Sequence, residues 1–510
     1  MTLVLNGCIL LLREHHLLKK AEVVFDNEIT AVTYDSRKAQ KDGMFFCKGT
    51  NFKEDYLKSA QKNGATTYVS EVEYSDVKGM NALIVTDVTK AMALLGAAFY
   101  NYPQDDLYVI AYTGTKGKTT SSYFAYNILQ DYTNGKTALF STVNTILGPK
   151  PEDKFKSELT TPESLDLFRN MRKAVDNGMT HLVMEVSSQA YLRNRVYGLH
   201  YDVGFFLNIT PDHIGPNEHP NFANYLHCKL QLLVNSDHCV INADSKHIEE
   251  IYQAAKATTD PDKIYLFARE GHNDAHADFV YHSEETTLAE SKFTLKSKTE
   301  KASKLLVDGE YQLSLIGDFN ETNATAAIIG AGLAGAPHQL AQNAIYDVQI
   351  PGRMESLKTK HHGTIYIDYA HNYASMKALL SFLTRETKNP KVLVVVGSPG
   401  DKGVDRRAGF SKVLTEYATD AFLTTDDPGF EDPKDICDQI DAKIDHKKVN
   451  TKIILDRETA IKTAISESKP GDIVVLAAKG EDPYQKINGV DTPYPNDYNV
   501  AKDVINKIDK

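Results

Sequence analysis

The sequence is poor in cysteine and has no long apolar run. Its five cysteines are scattered over 510 residues and form no Cys-x-x-Cys motif, which argues against a disulfide scaffold or a zinc ribbon and fits a reducing compartment. No apolar stretch approaches the roughly 20 residues that span a bilayer. Lys and Arg total 57 against 68 Asp and Glu, and the resulting net charge of −11 argues against a general nucleic-acid binder. These features predict a cytoplasmic protein with no membrane span and no nucleic-acid partner.

Apolar runs recur along the chain, and each is followed by a turn or a helical pattern. Their continuous apolar character is typical of parallel strands buried on both faces, so the alternation predicts an α/β fold with doubly wound sheets. The predicted strands are residues 107–112, 181–186, 203–207, 239–241, 364–367, 391–396, 421–423 and 473–477. The clearest helical patterns are 164–177 and 373–386. Polar, Pro-containing stretches at 101–106 and 335–338 suggest domains of 1–104, 105–337 and 338–510.

The strongest local signal follows the strand predicted at 107–112. There the chain reads Thr113-Gly114-Thr115-Lys116-Gly117-Lys118-Thr119-Thr120 and continues as a helical pattern. Backbone N–H groups converge on a phosphate in such a loop, and the helix dipole favours its negative charge. Lys118 would reach the β- and γ-phosphates, and the Thr119 hydroxyl would ligate Mg²⁺. Tyr112 stands where the general pattern has glycine, but the strand and helix around the loop favour nucleotide binding over a surface turn.

Three further residues follow strands or lie on a helix in the middle of the chain. Glu185 ends a predicted strand, where an acid beside a phosphate loop suits Mg²⁺. His213 follows the next strand; a lone histidine is more often structural, but its place after a strand predicted to neighbour the phosphate-loop strand favours a metal ligand. Lys229 lies on a helical pattern, and from the residues alone it is only a lysine on an amphipathic helix.

Over nearly the whole chain, the sequence resembles the Mur ligases, ATP-dependent amide-forming enzymes of peptidoglycan synthesis. The resemblance lies in the phosphate loop, in Asn208 to His213, in the Tyr225-x-x-x-Lys229 pattern and in C-terminal motifs. It implies an N-terminal UDP-binding α/β domain, a central P-loop domain with a parallel sheet, and a C-terminal Rossmann-like domain that binds the amino acid. It also implies a monomer.

The resemblance assigns roles to individual residues. Catalysis would depend on Lys118, Glu185, His213 and Lys229, and two Mg²⁺ ions would be held by Thr119, Glu185, His213 and a carbamylated Lys229. The other residues implied to bind ATP, besides the phosphate loop, are Asn320, Asn323, Arg353, Asp368 and His371. Those implied to bind the UDP-sugar-peptide are Ser36, Thr160, Thr161, Ser187 and Arg195.

The C-terminal motifs bear on which amino acid is added. By resemblance, Arg407 would bind the α-carboxylate of the incoming amino acid. Ligases of this family that add meso-diaminopimelate carry Asp-Asn-Pro-Arg where this sequence has Asp426-Asp427-Pro428-Gly429. Glycine offers no partner for a distal carboxylate, which would be costly to bury unpaired. An acidic pocket of Asp426, Asp427 and Glu481 suits a distal ammonium, so L-lysine is expected, with ornithine as its nearest rival.

The activity implied is ATP-dependent addition of L-lysine to UDP-MurNAc-L-Ala-D-Glu through an acyl phosphate. Alternatives within the superfamily are a ligase that adds ornithine or meso-diaminopimelate, and a folylpolyglutamate synthetase. Outside it stand a P-loop phosphotransferase or regulatory ATPase and a binding protein that has lost the chemistry. The joint presence of Lys118, Thr119, Glu185, His213 and Lys229 argues against the last of these.

Overall fold

The computed structural model describes residues 2–49, 51–215, 218–287, 290–315, 317, 319–346, 348–352, 354–401 and 403–509. The chain divides into two compact units. The first comprises Met1–His282, Phe293–Tyr311 and Thr322–Ile345, and the second comprises Ser283–Lys292, Gln312–Glu321 and Tyr346–Lys510. Among the described residues, no helix is both long and apolar enough to cross a bilayer.

The first unit begins with a five-stranded sheet in the order β2-β7-β6-β5-β4. Strands β4 to β7 run parallel, and β2 joins the edge antiparallel to β7. Strands β5 and β7 are buried along their whole length, as expected for apolar strands covered on both faces. The elements are β1 (Leu3–Val4), α1 (Leu5–Glu14), β2 (Leu18–Glu22), β3 (Glu28–Ile29), β4 (Ala31–Thr33), β5 (Gly43–Phe46), α2 (Glu54–Lys62), β6 (Ala65–Ser70), β7 (Asn81–Val85) and α3 (Val88–Phe99).

A larger sheet follows, in the order β11-β10-β9-β12-β8-β13-β14-β15-β16-β17-β18. The strands from β9 to β16 in this order are parallel, so the carboxyl ends of β8, β12 and β13 lie at one edge. Its first elements are β8 (Tyr108–Thr113), α4 (Lys118–Tyr132), β9 (Thr137–Phe140), β10 (Asn144–Ile146), β11 (Lys154–Lys156), α5 (Ser164–Asp176), β12 (His181–Glu185), α6 (Ser188–Leu192), β13 (Tyr201–Phe206) and α7 (Phe222–Val234). The remaining ones are β14 (Ser236–Asn242), α8 (Ile248–Lys256), β15 (Ile264–Arg269), β16 (Phe279–Thr286), β17 (Ser291–Ser297), α9 (Glu300–Ser303), β18 (Gly309–Leu313), α10 (Phe319–Leu333) and α11 (His338–Tyr346).

The second unit is built on a six-stranded sheet in the order β19-β20-β24-β21-β22-β23. All its pairs are parallel except β19 with β20, and β21 and β24 are buried throughout. The elements are β19 (Glu355–Leu357), β20 (Thr364–Asp368), α12 (Tyr373–Glu386), β21 (Val392–Val396), α13 (Asp405–Tyr417), β22 (Asp420–Leu423), α14 (Pro433–Asp441), β23 (Asn450–Ile453), α15 (Arg457–Glu467), β24 (Ile473–Ala477), β25 (Tyr484–Ile487), β26 (Val490–Pro493) and α16 (Asp497–Ile508).

The predicted α/β class with parallel sheets is confirmed. Each of the eight predicted strands overlaps an observed one, and the helix predicted at 373–386 has the bounds of α12. The central sheet differs from the prediction at one edge, where the short strands β10 and β11 are antiparallel. A hairpin needs only a short turn, whereas a parallel neighbour needs a crossover of a dozen or more residues.

Candidate active site

The phosphate-loop segment is a strand, a tight loop and a helix. Gly117 precedes α4 with a positive φ of +86°, and a Cβ there would collide with the side chain of Asn323, so only glycine fits. Thr113 and Thr119 are nearly buried at the two ends of the loop. Asn323 lies on the first turns of α10, which also carries the buried Asn320. The segment predicted to bind phosphate thus runs from the end of β8 through the loop into the first turn of α4. Its residues are Thr113, Gly114, Thr115, Lys116, Gly117, Lys118, Thr119 and Thr120.

Asn208, which follows β13, holds the loop in place. Its Oδ1 accepts a hydrogen bond from Lys116 N (2.9 Å), and its Nδ2 donates to Lys116 O (3.0 Å). Its own carbonyl accepts from Thr115 N at 3.1 Å. The loop therefore keeps its shape through contacts with a neighbouring strand of the same sheet.

Two lysine side chains converge on one carbonyl oxygen of this loop. Lys118 Nζ and Lys229 Nζ each donate to Gly114 O at 2.8 Å. Lys229 lies on α7, is 2% exposed, and stands over the ring of Tyr225. Burial, together with the positive charge of Lys118, lowers the pKa of Lys229 well below the ordinary lysine value. The arrangement thus favours a neutral amine beside a phosphate loop.

Glu185 ends β12 as a fully buried carboxylate with both oxygens engaged by one residue. Thr142 N donates to Glu185 Oε1 (2.7 Å), and Thr142 Oγ1 lies 2.9 Å from Oε2. The hydroxyl of Thr142 is also 3.1 Å from that of Thr160, a predicted substrate contact. Sequence reasoning missed Thr142. It follows β9, which pairs with β12, so a known strand pairing would have pointed to it.

His213 lies in a turn and has a left-handed backbone conformation, with a φ of +55°. Its Nδ1 is 2.7 Å from Glu218 Oε1. The fully buried His219 secures the same turn, because its N–H donates to His213 O (3.0 Å) while its ring nitrogens lie 2.7 Å from Asn224 Oδ1 and 2.9 Å from Ser188 Oγ. His219 thereby connects the turn to α6 and α7, a role that sequence reasoning did not assign.

The residues predicted to bind the dipeptide end of the substrate lie close together. Thr161 Oγ1 accepts a hydrogen bond from Ser187 N (3.0 Å) and donates to Glu185 O (3.1 Å). Arg195 Nη1 donates to Thr161 O (3.4 Å), and its Nε donates to Glu163 Oε1 (3.1 Å). These contacts place the Thr161 hydroxyl against the backbone carbonyl of the predicted metal ligand Glu185 and join Arg195 to the same segment through the Thr161 carbonyl.

Ser36, predicted to contact the pyrophosphate, lies in a short 3₁₀ turn after β4. Asp35 begins the turn by accepting from Arg37 N at 3.0 Å, and Asn63 Nδ2 donates to Ser36 O at 2.9 Å. Ser36 is half-buried on this ordered turn.

In the second unit, Asp368 ends β20 and organises the loop around it. Its Oδ2 accepts from Met354 N (2.9 Å) and its Oδ1 from Ala370 N (2.8 Å). His371 follows in the same loop, and its Nδ1 lies 2.7 Å from the carbonyl of Tyr369. The predicted phosphate-binding Arg353 lies outside the described residues.

Arg407 is buried at the start of α13 and is held by protein oxygens. Its Nη2 lies 2.9 Å from Glu431 Oε1 and 3.2 Å from Pro399 O, and its Nη1 donates to Gln439 Oε1 at 2.7 Å. The guanidinium lowers the pKa of Glu431. An incoming α-carboxylate would therefore meet an arginine that already has a carboxylate partner.

The predicted acidic pocket of the second unit contains a lysine that sequence reasoning overlooked. Lys479 Nζ lies 2.5 Å from Asp427 Oδ1, 3.5 Å from Asp426 Oδ1 and 3.8 Å from Asp482 Oδ2. Burial lowers the pKa of Lys479, but the charges of Asp426 and Asp427 raise it by more. Burial also raises the pKa of Asp426. Three carboxylates around one ammonium leave a surplus of negative charge.

Glu481, the third predicted acidic residue, faces a carboxyl group that had no predicted role. Burial, followed by the negative charge of Glu481, raises the pKa of Glu355 to about 8. Glu355 is the first residue of β19, and at neutral pH this raised pKa keeps it largely protonated beside Glu481, so it adds no full negative charge there.

Comparison with known proteins bears on the whole chain. Residues 112–331 match the Mur ligase middle domain, and residues 352–480 match the glutamate ligase domain of Mur ligases. The UDP-N-acetylmuramyl-tripeptide synthetase of Latilactobacillus sakei subsp. sakei (strain 23K) is 63% identical over 513 residues, with full coverage of both chains. The UDP-N-acetylmuramoyl-L-alanyl-D-glutamate–L-lysine ligase of Enterococcus faecalis (strain V583) is 48% identical over 491 residues, 96% of this chain and 94% of the relative.

Among solved structures, a UDP-N-acetylmuramoyl-L-alanyl-D-glutamate–2,6-diaminopimelate ligase is similar, with a TM-score of 0.65 and 26% identity. The match covers 95% of this chain and 97% of the other. The predicted family resemblance is therefore confirmed at the level of sequence and of fold. The chain belongs to the Mur ligase family, whose ligases use ATP.

Proposed function

We propose that this chain joins L-lysine to UDP-MurNAc-L-Ala-D-Glu at the expense of ATP, yielding the UDP-MurNAc-tripeptide, ADP and phosphate in the cytoplasm. The observation that carries the proposal is the meeting of Lys118 and Lys229 on the carbonyl of Gly114, in the phosphate loop of a Mur ligase fold. The 48% identical Enterococcus relative, named as the L-lysine ligase, supports the choice of amino acid. Domains of 1–104, 105–337 and 338–510 are part of the proposal.

The nucleotide would lie on the phosphate loop, with Lys118 and the loop N–H groups around its phosphates. Asn320, Asn323, Asp368 and His371, together with Arg353, would bind the rest of ATP. Asparagine amides can offer a donor and an acceptor to adenine at once.

The side chains present fit Mg²⁺ bound together with phosphates. Among the described residues, no group of three or more His, Cys, Asp or Glu side chains could hold a metal ion by itself. Mg²⁺ is usually bound by one or two carboxylates plus substrate phosphates, so Glu185, Thr119 and His213 suffice as protein ligands. The bound ion would neutralise negative charge on the phosphates. A neutral, buried Lys229 amine could react with CO₂ to give a carbamate, an additional oxygen ligand.

The chemistry requires positioning more than a protein nucleophile. The γ-carboxylate of D-glutamate attacks the γ-phosphorus of ATP, and the bond to the β-phosphate oxygen breaks, giving ADP and an acyl phosphate. The lysine α-amine then attacks the acyl carbon, phosphate leaves, and one proton is released as the amide forms. Lys118 would offset the charge of the approaching anions, while Thr161, Ser187 and Arg195 would orient the dipeptide.

The second unit would select the amino acid. Arg407 would bind its α-carboxylate in exchange for Glu431, and the acidic group of Asp426, Asp427 and Glu481 would attract a distal ammonium. The surplus of carboxylates over Lys479 supports a cationic side chain as the ligand.

Phosphate release by the purified protein tests the proposal. The assay contains ATP, Mg²⁺ and UDP-MurNAc-L-Ala-D-Glu, with L-lysine, L-ornithine or meso-diaminopimelate added separately. Release with lysine alone is expected, and Lys118→Ala should abolish it while Lys20→Ala, at an exposed lysine of β2, leaves it unchanged. Release only with ornithine or diaminopimelate would contradict the choice of lysine, and release with none would contradict the ligase reaction itself.

A further inference from the structure

The contacts of the predicted dipeptide-binding residues lead to a lysine with no assigned role. Lys48 lies just after β5, and its Nζ is 2.6 Å from Glu163 Oε2. Arg195 Nη2 lies 3.0 Å from Oε1 of the same carboxylate. One glutamate thus holds two cations, one from the N-terminal sheet and one from the turn after α6. The three residues Lys48, Glu163 and Arg195 form the Glu163 cluster.

The Glu163 cluster is largely shielded from solvent. Its three side chains are 14–20% exposed, and Lys48 Nζ stands 4.5 Å above the centre of the Tyr34 ring. The hydroxyl of Tyr34 in turn donates to Asp166 Oδ2 at 2.5 Å, which fixes the ring under the ammonium. The charges of the three cluster residues sum to +1. A shielded surplus of positive charge favours a bound anion, because charge-assisted hydrogen bonds gain strength where water is scarce.

The Glu163 cluster has contacts toward two predicted parts of the substrate site, the dipeptide end and the pyrophosphate contact. Arg195 also donates to the carbonyl of Thr161, which adjoins Ser187 at the predicted dipeptide end. On the other side, Tyr34 precedes Ser36, the predicted pyrophosphate contact, by two residues. Lys48 contacts both sides, because its ammonium meets Glu163, the partner of Arg195, and stands over the ring of Tyr34.

We propose that Lys48 is a further binding residue for the UDP-sugar-peptide and contacts one of its anionic groups. Glu163 is then a positioning residue that holds Lys48 and Arg195 side by side. This inference rests on the proposed function, since it takes the same substrate. The pyrophosphate and the dipeptide carboxylate share the chemistry that an ammonium recognises, and binding measurements can separate them.

Isothermal titration of the full-length protein, without ATP, gives the dissociation constants of UDP-MurNAc-L-Ala-D-Glu and of UDP. Lys48→Met should weaken binding of the sugar-peptide on the order of tenfold, the usual effect of losing one charge-assisted hydrogen bond, and Lys48→Arg should restore most of it. If UDP binding weakens equally, the contact is to the pyrophosphate; if UDP binding is unchanged, it is to the dipeptide. The control is Lys20→Met, which removes a half-exposed lysine 2.8 Å from Glu73 in the same sheet and should leave both constants unchanged.

A purely structural ion pair would give a different result. Lys48→Met would then lower the unfolding temperature and leave the dissociation constants within twofold of the wild type, which would overturn the proposal. Glu163→Gln gives a second test, because it adds positive charge to the cluster but releases the two cations from each other. Weaker binding of the sugar-peptide is expected, and tighter binding would refute the positioning role. If the wild-type protein bound neither UDP-MurNAc-L-Ala-D-Glu nor UDP, the proposed function itself would be wrong. If the wild type bound them and Lys48→Met bound them equally well, only the role of Lys48 would be wrong.

Discussion

Two buried lysines, one in each unit, have pKa values that are shifted in opposite directions. Lys229 is 2% exposed and shares the Gly114 carbonyl with Lys118, so burial and a like charge both lower its pKa. Lys479 is 0% exposed, yet Asp426 and Asp427 raise its pKa despite the burial. Because the two lysines are buried to the same degree, the charges beside them decide the sign of the shift.

The difference between the surroundings of Lys229 and Lys479 indicates which kind of charge each site is suited to bind. Around the phosphate loop, two amines meet on a neutral carbonyl, and burial together with the like charge favours the neutral form of Lys229. In the second unit, several carboxylates meet on one ammonium, and the surplus negative charge suits a cationic amino acid. Substitution of Lys479 should therefore destabilise the folded protein, whereas substitution of Lys229 should not.

Lys229→Met should have the largest effect on activity. Removing the amine beside the phosphate loop should reduce phosphate release on the order of 1,000-fold, because the carbamate that would serve as an oxygen ligand of Mg²⁺ can no longer form at this position. Folding should not suffer, since a buried methionine replaces a buried polar group of similar length. Thermal unfolding at pH 8 measures this, and an unfolding temperature several degrees lower would contradict the comparison.

The pH dependence of the free energy of unfolding tests whether Lys229 is neutral in the folded protein. A lysine whose pKa is lowered on folding binds fewer protons in the native state than in the unfolded state. Its contribution to the free energy of unfolding therefore rises with pH from the lowered pKa up to the ordinary value of 10.5. Lys229→Met should remove this part of the slope, and an unchanged slope would show that Lys229 is charged in the folded protein.

Lys479→Met should destabilise the protein, in contrast to Lys229→Met. It leaves Asp426 and Asp427 without their ammonium partner, and breaking a buried pair in this way costs about 3 kcal/mol. Urea unfolding of the variant and of Lys479→Arg, which keeps the charge, measures the difference. Equal or greater stability of Lys479→Met would show that the carboxylates do not depend on this lysine.

The sequence predicted well whatever depends on local patterns. Continuous apolar runs located the strands, and the Gly-Lys-Thr loop after β8 was recognisable because its glycine geometry is encoded within a few residues. Side-chain contacts between segments that are distant in the chain were not predictable from the sequence. Thr142 and Glu185 are 43 residues apart in the sequence, and Lys48 and Glu163 are 115 residues apart. No local sequence pattern indicates such contacts.

Lys479 shows a related weakness of local reasoning. The sequence predicts acidic surroundings from Asp426, Asp427 and Glu481, but it shows no partner for the lysine between Ala478 and Gly480. Its ion pair with Asp427 spans 52 residues and forms only when β24 and the loop after β22 lie near each other. The binding of a cationic side chain among these carboxylates stays a prediction, and the lysine within the group could only be seen in the structure.

Thr142→Val should have a smaller effect on activity than the change at Lys229, and it extends the comparison to the carboxylate beside the loop. The variant loses the hydroxyl at Glu185 Oε2 but keeps the backbone bond to Oε1, so the carboxylate is held less firmly. Residues that orient a metal ligand typically contribute 10–100-fold, and the retained bond places the expected rise in the Mg²⁺ requirement at about tenfold. Titrations of phosphate release with Mg²⁺ and of Mn²⁺ binding by electron paramagnetic resonance measure it. Thr142→Ser, which keeps the hydroxyl, should behave like the wild type, and an unaltered Thr142→Val would remove Thr142 from the site.

Gly429→Arg should have the smallest effect, and it tests whether the acidic surroundings in the second unit can be changed by one residue. Gly429 has a φ of +61°, and a Cβ there would collide with the carboxylate of Asp401, which also accepts from Phe430 N at 2.9 Å. An arginine at this position costs about 1–2 kcal/mol for the left-handed backbone and disturbs the Asp401 contact, so it should not present its guanidinium to a distal carboxylate. We expect a modest loss of lysine-dependent phosphate release and none with meso-diaminopimelate. Gly471→Arg, with a φ of +93° and open space around it, isolates the backbone cost. Release with diaminopimelate by Gly429→Arg would show that this loop adapts, and that the surplus of carboxylates does not by itself decide which amino acid is bound.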